Sequence, residues 1–221
     1  MKKEATEEEK SREIEHVRRC PDMTRLLVAR TTEREYVLNF LLNDELEEVR
    51  KEAAITLKEL GETAIFAGGC FWGVEYFIGK LKGVKSIKSG YIGGDVLSPT
   101  YEKVCKQNTG HAEAVRIIFD SEITNYETLA KTFFEIHDPT QLDGQGPDLG
   151  QQYRSEIFYT LNEQKLIAEK LIKQLKSNGL NVVTKISRAG FFWAAEEEHQ
   201  NYYEKKGTRP YCHGYVKRFI E

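Results

Sequence analysis

The sequence predicts a sheet domain of the α/β or α+β type over residues 62–221, preceded by a small all-helical extension over residues 1–61. Three observations predict it. Composition shifts near Gly61: residues 1–62 carry 12 basic and 16 acidic side chains with a single glycine and a single proline, whereas residues 63–221 carry 20 basic and 19 acidic side chains and all the other glycines. Apolar residues recur at helical spacing before the shift, and after it strand-like and helix-like runs alternate. A chain of 221 residues suits one domain plus a small appendage.

The helical elements come first. Thr6 followed by Glu9 reads as a capping box for a first helix, which Pro21 should end. A second helix starts near Asp22. Glu33–Leu42 puts Tyr36, Val37, Phe40 and Leu41 on one face, and Asn43–Asp44 breaks it. Glu45–Leu60 places Leu46, Val49, Ala53, Leu57 and Leu60 at helical spacing, with Gly61 as a natural left-handed cap. The segment VLNFLLNDELEEVRKEAAITLKELG resembles a HEAT-type repeat; only one unit is legible, and one unit cannot bury its own face without a neighbour. A helical cap is preferred to a partner-binding module.

From residue 63 the expected order is a strand at Ala64–Ala67, a helix at Phe71–Leu81, a strand at Val84–Tyr91, a short helix at Pro99–Cys105 and a strand at Ala112–Phe119. Asn125 caps a helix running to about Glu135. His137–Gln152 is a loop with three glycines and two prolines, of a length usually kept for function. A strand at Glu156–Leu161, a helix at Glu163–Lys176 and a strand at Asn181–Ile186 follow, and the tail from Glu196 begins helical and ends irregular.

Composition narrows the function classes. A formal charge of −3 argues against a bulk nucleic-acid binder or a membrane-surface protein. Apolar content of 40% with 30% charged residues reads as soluble and globular. Four cysteines, at 20, 70, 105 and 212, do not make a disulfide scaffold. The N-terminus has no apolar segment of a secretory signal, its glutamates argue against a transit peptide, and no apolar run reaches the roughly 18 residues of a membrane span. A cytoplasmic location is therefore expected, where thiols stay reduced unless they are catalytic or redox-active.

The chemistry concentrates in AIFAGGCFWGVEYF. A strand runs into Gly68–Gly69, then Cys70, then a helix. The glycines permit a tight turn and close approach of a substrate. Cys70 at a helix N-terminus faces free N–H groups and the positive dipole end, which favour thiolate. Phe71 and Trp72 could wall an apolar pocket. On this junction alone, a buried structural cysteine in a glycine-rich turn explains the segment equally well.

GGCFWG resembles the active-site motif of the A-type peptide methionine sulfoxide reductases. GYIGG (Gly90–Gly94), PTYEKVC (Pro99–Cys105), TGHAEAVRI (Thr109–Ile117), HDPTQ (His137–Gln141) and DLGQQYRS (Asp148–Ser155) follow in that family's order and spacing, and EEEHQNYY (Glu196–Tyr203) and PYC (Pro210–Cys212) are similar to its C-terminal part. Ordered, separated motifs make chance an unattractive explanation. The resemblance implies an α+β fold: an α/β sandwich around a mixed sheet with a ferredoxin-like core. It implies Cys70 as nucleophile, Phe71 and Trp72 as the pocket for the substrate's S-methyl group, and Glu113 as the acid beside the sulfoxide oxygen. Tyr101 and Tyr153 are implied as donors to that oxygen, Asp148 as support for the polar set, and Cys212 as the resolving cysteine. The implied activity is thiol-dependent reduction of methionine S-sulfoxide, in proteins and free. The implied substrates are oxidised proteins and peptides containing methionine sulfoxide. Thioredoxin is the implied reductant, or dithiothreitol in vitro; no metal or bound cofactor is called for, and no nucleic-acid or membrane partner.

Read without the family, these residues are ordinary. Glu113 in an alternating strand faces water, since glutamate is rarely buried unpaired. Tyr101 and Tyr153 tie down loops, and Asp148 is an Asx-turn residue. Trp72 is core, His111 braces a strand, and Cys105, on the helix face with Tyr101 and Val104, is a small buried hydrophobe. Cys20, before Pro21, has no evident role. A zinc hydrolase reading takes His111-Ala-Glu113 as half of a deaminase signature, but the second cysteine of P-C-x-x-C is absent. A thiol peroxidase or hydrolase could use the same Cys70, and a scaffold built on the HEAT-like segment would bind partners whatever stands at Cys70. No nucleotide-binding glycine motif occurs.

The family chemistry suits the residues. A sulfoxide sulfur is a poor electrophile until its oxygen is protonated or strongly hydrogen-bonded. Glu113 must therefore carry a proton, which burial near aromatics favours. Oxidation of Cys70 gives a sulfenic acid, and Cys212, on the tail between Gly207 and Gly214, condenses with it; exchange with a dithiol restores both. Many relatives carry a second recycling cysteine; no cysteine follows Cys212 here, so a third-cysteine relay is not expected unless Cys105 lies near the site. The two methionines, Met1 and Met23, both precede residue 63, a distribution in keeping with a protein working amid oxidants.

Overall fold

The structure, a computed structural model, describes residues 5–106 and 109–219; Met1 lies outside them. It divides into two compact units, Met1–Gly61 and Glu62–Glu221.

The first unit holds α1 (Glu7–Arg18), α2 (Asp22–Thr31), α3 (Glu35–Leu41) and α4 (Glu47–Gly61). The Thr6 hydroxyl accepts from the Glu9 N–H and the Glu9 carboxylate accepts from the Thr6 N–H, closing the capping box. Pro21 stands at the N-cap of α2. Val17, Ala29, Val37, Leu38, Leu41, Val49 and Ala53 form a shared core. The neighbours that α3 and α4 need are thus α1 and α2. Helix α4 starts two residues later than the pattern suggests because the Asp44 carboxylate accepts from the Leu46 N–H. Gly61 is the last helical residue rather than a left-handed cap, and it is absent from the glycines with positive φ.

The second unit begins with β1 (Thr63–Gly68), α5 (Phe71–Ile78), β2 (Val84–Ile92), α6 (Tyr101–Lys106), β3 (Ala112–Phe119) and α7 (Tyr126–Ile136). It continues with a two-residue pair, β4 (Gly144–Gln145) and β5 (Asp148–Leu149), then β6 (Ser155–Tyr159), α8 (Asn162–Ser177), β7 (Lys185–Arg188), β8 (Trp193–Ala194) and α9 (Tyr202–Lys206). The main sheet has the order β7-β6-β1-β3-β2-β8. All its pairs are antiparallel except β6 with β7. Its inner strands β6-β1-β3-β2, with α5 between β1 and β2 and α7 between β3 and β6, make the ferredoxin-like core.

Period-two alternation splits the sheet's two faces. Ala64, Phe66, Val115, Ile117 and Ile157 face α5, α7 and α8, where Phe71, Val74, Ile78, Phe133, Phe134, Leu171 and Leu175 complete the main core. Ile65, Ala67, Ile92, Ala112, Ala114 and Phe158 face the other way, under Ala189 and Phe192. Burial on both faces explains why β1 reads as an uninterrupted apolar run.

Several boundaries differ from the sequence expectation for local reasons. Helix α5 ends at Ile78 because Gly79 takes the C-cap, its N–H bonded to the Glu75 carbonyl. Val183 donates to the Pro139 carbonyl, so β7 starts only at Lys185. The tail from Glu196 is a turn at Glu197–His199 and the short α9, not one helix. Between them the buried Gln200 amide bonds Ser89 N–H, Ser89 O and Ala195 O, which draws its backbone into an extended conformation.

Candidate active site

The strand–helix junction is shaped by what presses on it. Gly69 has φ +94°, and a Cβ there would stand 2.4 Å from Gln145 Cβ. A Cβ on Gly73 would stand 2.1 Å from His213 Nδ1. Both glycines are therefore required by close approach of side chains from the loop and the tail. Cys70, between them at the N-cap of α5, is buried.

Cys212 is buried beside it. Cys70 Sγ, Cys212 Sγ and an Asp148 carboxylate oxygen all lie within 4.8 Å of one another, and both cysteines are free thiols. Three such donors could hold a thiophilic cation, but the same proximity is what a dithiol that closes to a disulfide requires. The segment around Cys212 is tied down. Gln145 Nε2 donates to the Cys212 carbonyl at 3.0 Å while Gln145 Oε1 accepts from the Asp138 N–H. Gly214 and Val216 donate to the Ile136 and Glu135 carbonyls.

Glu113 comes up from β3 on the same face as Val115 and Ile117, toward α5. It is 1% exposed, which corrects the solvent-facing reading. Its Oε2 accepts from the Phe71 N–H at 3.1 Å, and its Oε1 has no partner among the described residues. Burial pushes this carboxyl up to about 8, against the pull of the Phe71 N–H. At neutral pH it carries a proton with no acceptor.

The thiols are tuned in opposite senses. Cys70 is raised by its hydrogen bond to Cys212, then by burial, then by the Glu113 carboxylate; the Trp72 N–H at the helix start lowers it, but less. The helix N-terminus pulls Cys70 toward thiolate, as the junction suggests, and in the resting dithiol Cys212, burial and Glu113 outweigh it. Cys212 is lowered, first by the hydrogen bond from Cys70 and then by His213, which stabilises the thiolate, against burial. Of the pair, Cys212 loses its proton first.

Around the thiols stands an aromatic box. Phe71 lies 6.0 Å from Trp72 and 6.3 Å from Tyr101 between ring centroids. Trp72 stacks on Tyr202 at 3.8 Å. His199, which the sequence reading did not single out, packs 4.3 Å from Tyr101 and 5.7 Å from Phe71. Its two ring nitrogens and Trp72 Nε1 are buried without hydrogen-bond partners among the described residues, the Glu198 carboxylate lying 3.8 Å from His199 Nε2. Tyr101 and Tyr153 are half-buried and both raised, burial being the largest cause and Glu113 the next. Both tyrosines act on the Cys105 thiol, one helical turn beyond Tyr101 on α6, and lower it against burial, which raises it most. Cys105 is thus a half-exposed member of the site rather than a small hydrophobe filling the core. Asp148 accepts from the Tyr211 hydroxyl at 2.9 Å.

The structure therefore brings Cys70, Phe71, Trp72, Tyr101, Glu113, Asp148, Tyr153 and Cys212 to one place, and adds Cys105, Gln145, His199, Tyr211 and His213. His111 is excluded as a zinc ligand: Nδ1 accepts from the Gly94 N–H and Nε2 donates to the Val96 carbonyl at 2.8 Å.

The model of the peptide methionine sulfoxide reductase family matches residues 62–221. This chain belongs to that family. It is 48% identical over 162 residues to the reductase MsrA of Natronomonas pharaonis, covering 72% of this chain and 91% of that protein. It is 52% identical over 149 residues to MsrA of Methanosarcina mazei, covering 66% and 71%. Among solved structures it is similar to reduced Mxr1 of Saccharomyces cerevisiae, with a TM-score of 0.64 at 32% identity over 69% of this chain and 91% of that one. It is also similar to methionine sulfoxide reductase A of Corynebacterium diphtheriae, with a TM-score of 0.61 at 32% identity over 72% and 83%. The family membership agrees with the ferredoxin-like core and with the reductase reading of GGCFWG.

Proposed function

We propose that residues 62–221 reduce the S epimer of methionine sulfoxide, in peptides and free, by a thiol mechanism. One observation carries the reading: a buried Glu113 carboxyl with one oxygen unpartnered among the described residues accepts from the first N–H after Cys70, and the Cys212 thiol lies beside Cys70. The substrate's methyl group lodges against Phe71 and Trp72, and its oxygen accepts from Glu113, Tyr101 and Tyr153. Those donors stabilise charge on the oxygen as the sulfur is attacked. Burial and the nearby Glu113 keep both tyrosine hydroxyls protonated, so they stand ready as donors.

The Cys70 sulfur attacks the sulfoxide sulfur, and the oxygen takes the Glu113 proton. Oxygen passes to Cys70 as methionine leaves, and the thiol proton of Cys70 returns to Glu113. Cys70 loses two electrons and becomes a sulfenic acid, and the sulfoxide sulfur gains them. Cys212 then displaces water from Cys70, giving a Cys70–Cys212 disulfide. A dithiol reductant of the thioredoxin class reopens it by exchange.

The test offers each sulfoxide epimer of a methionine-containing peptide with dithiothreitol. Consumption of the S epimer alone is expected, because the two epimers of this lesion are repaired by different enzymes. Turnover of neither epimer, or of hydroperoxide in preference to both, would overturn the reading.

A further inference from the structure

The residue after Cys212 has no part in the scheme above, yet it is the side chain most closely fitted to the thiol pair. His213 is 8% exposed. Its Nε2 lies 2.7 Å from the Gly68 carbonyl oxygen. A carbonyl can only accept, so Nε2 carries the hydrogen. In the neutral ring Nδ1 then has a bare lone pair, and it stands 3.2 Å from Cys212 Sγ. The donor in that contact is the Cys212 thiol. A buried imidazole with one nitrogen anchored and the other on a thiol is the arrangement of a nucleophile and its base.

We propose that His213 is the general base of the second half-reaction, taking the Cys212 proton as Cys212 attacks oxidised Cys70. The inference rests on Cys70 and Cys212 being the redox pair. Space for the ring is built into the nucleophile's own helix: Gly73 leaves the position 2.1 Å from His213 Nδ1 empty, and Gly69 clears His213 Cε1. Gln145 fixes the Cys212 carbonyl on one side, and the Gly214 N–H bond to Ile136 O fixes the other.

The ionisable groups around the ring are consistent with this role. Cys212 and, through it, Cys70 lie on one side, with Asp148 acting on Cys212. His137, at the end of α7, bonds Phe133 O and Ser155 Oγ, and burial holds it down to about 3, so it stays neutral. Arg218 is turned to the His137 carbonyl, and Asp138 to Thr140. Once Cys70 is oxidised, its thiol hydrogen no longer supports Cys212. His213 is then the side chain in hydrogen-bond contact with that sulfur, Asp148 lying within 4.8 Å without a bond to it among the described residues.

The step balances within the protein. His213 Nδ1 takes the thiol proton; the Cys212 sulfur forms the S–S bond; the Cys70 S–O bond breaks; the leaving hydroxide takes the proton from Nδ1 and departs as water. Cys212 sulfur is oxidised by one electron equivalent, and the sulfenic sulfur is reduced by one.

The experiment is a single turnover without reductant, quenched in time, with methionine and disulfide measured separately from about pH 5.5 to about pH 9. His213→Gln keeps an amide donor for the Gly68 carbonyl and removes the base. Methionine formation should match the unaltered protein at every pH. Disulfide formation should slow about ten-fold at the acid end, reflecting lost thiolate less the gain in intrinsic nucleophilicity, and the gap should close toward the alkaline end. The sulfenic acid should be trappable by a dicarbonyl nucleophile over the same acid range. An unchanged disulfide rate, or one slowed equally at all pH values, overturns the proposal, the latter marking a structural role. Should His213→Gln fail to fold, His213→Ala with added imidazole gives the second readout: rescue of the disulfide step alone supports the proposal, and its absence overturns it. Failure of the underlying redox pair would look different, because the unaltered protein would then make methionine with no Cys70–Cys212 disulfide.

Discussion

The two units each bury an ionisable side chain and treat it in opposite ways. In the helical unit Arg25 is 6% exposed and fully engaged: Asp44 takes it through two bonds of 2.7 and 3.1 Å, Glu45 accepts at 3.1 Å, and the Cys20 carbonyl accepts at 2.9 Å. In the catalytic unit Glu113 is more deeply buried and has one bond, with an oxygen left over. The hydrogen bond between Arg25 and Asp44 raises the one and helps lower the other, so both stay charged. Burial raises Glu113, so it stays neutral. A satisfied buried charge holds a structure together; an unsatisfied buried acid destabilises the fold and is kept for a ligand.

Glu113→Gln breaks the comparison most severely. The amide keeps a donor but has no proton to deliver, so methionine formation should fall by about 10²–10⁴-fold in single-turnover kinetics. Stability should move the other way. An acid with its folded value raised from 4.5 to about 8 costs nothing below the lower value, and the cost accumulates as pH rises toward the upper one. Removing the acid should therefore stabilise the catalytic unit by about 3 kcal/mol at pH 7 in denaturant titrations, less whatever the buried amide loses. The same titration predicts that methionine formation in the unaltered protein declines above about pH 8 as Glu113 loses its proton, a decline the variant should lack.

Arg25→Met tests the other half. It strands Asp44, whose side chain is only 5% exposed, and should destabilise the helical unit by about 3 kcal/mol on thermal or denaturant unfolding. The pH dependence runs opposite to that of Glu113. Asp44 is lowered in the fold, so its contribution is present above its unfolded value and is lost as pH falls through its folded one. Methionine formation should persist, because all the site residues lie beyond residue 61. The smallest expected effect is that of Cys105→Ala. It removes a thiol that acts on Tyr101 and Tyr153 and should change KM no more than a few-fold, with the Cys70–Cys212 disulfide still forming.

Long periodic segments were readable from sequence because they bury one side of a regular element. Helices α4, α7 and α8 and strand β3 follow their apolar spacing, and Thr6 and Asn125 cap where expected. The two-residue strands β4, β5 and β8 have no period to read, and the break before α9 depends on Gln200 bonding Ser89, 111 positions away. The same division runs through the site. Cys70 and its aromatic neighbours are contiguous, so GGCFWG exposes them. The protonation of Cys70 depends on Cys212 and Glu113, both remote in the chain, and they outweigh the helix N-terminus that the local sequence advertises. Cys105 is one turn from Tyr101, but Tyr153, which also acts on it, comes from a separate turn far along the chain. His213 is adjacent to Cys212 in sequence, yet its meaning comes from the Gly68 carbonyl and the missing side chain of Gly73.

The most direct measurement mixes the reduced protein with one equivalent of a methionine S-sulfoxide peptide, without reductant, and maps the cysteines by mass spectrometry. The account predicts one methionine per chain, loss of two of the four thiols and a single Cys70–Cys212 bridge, with Cys20 and Cys105 still free. Methionine formed with Cys212 still a thiol, or a bridge from Cys70 to Cys105, would contradict it.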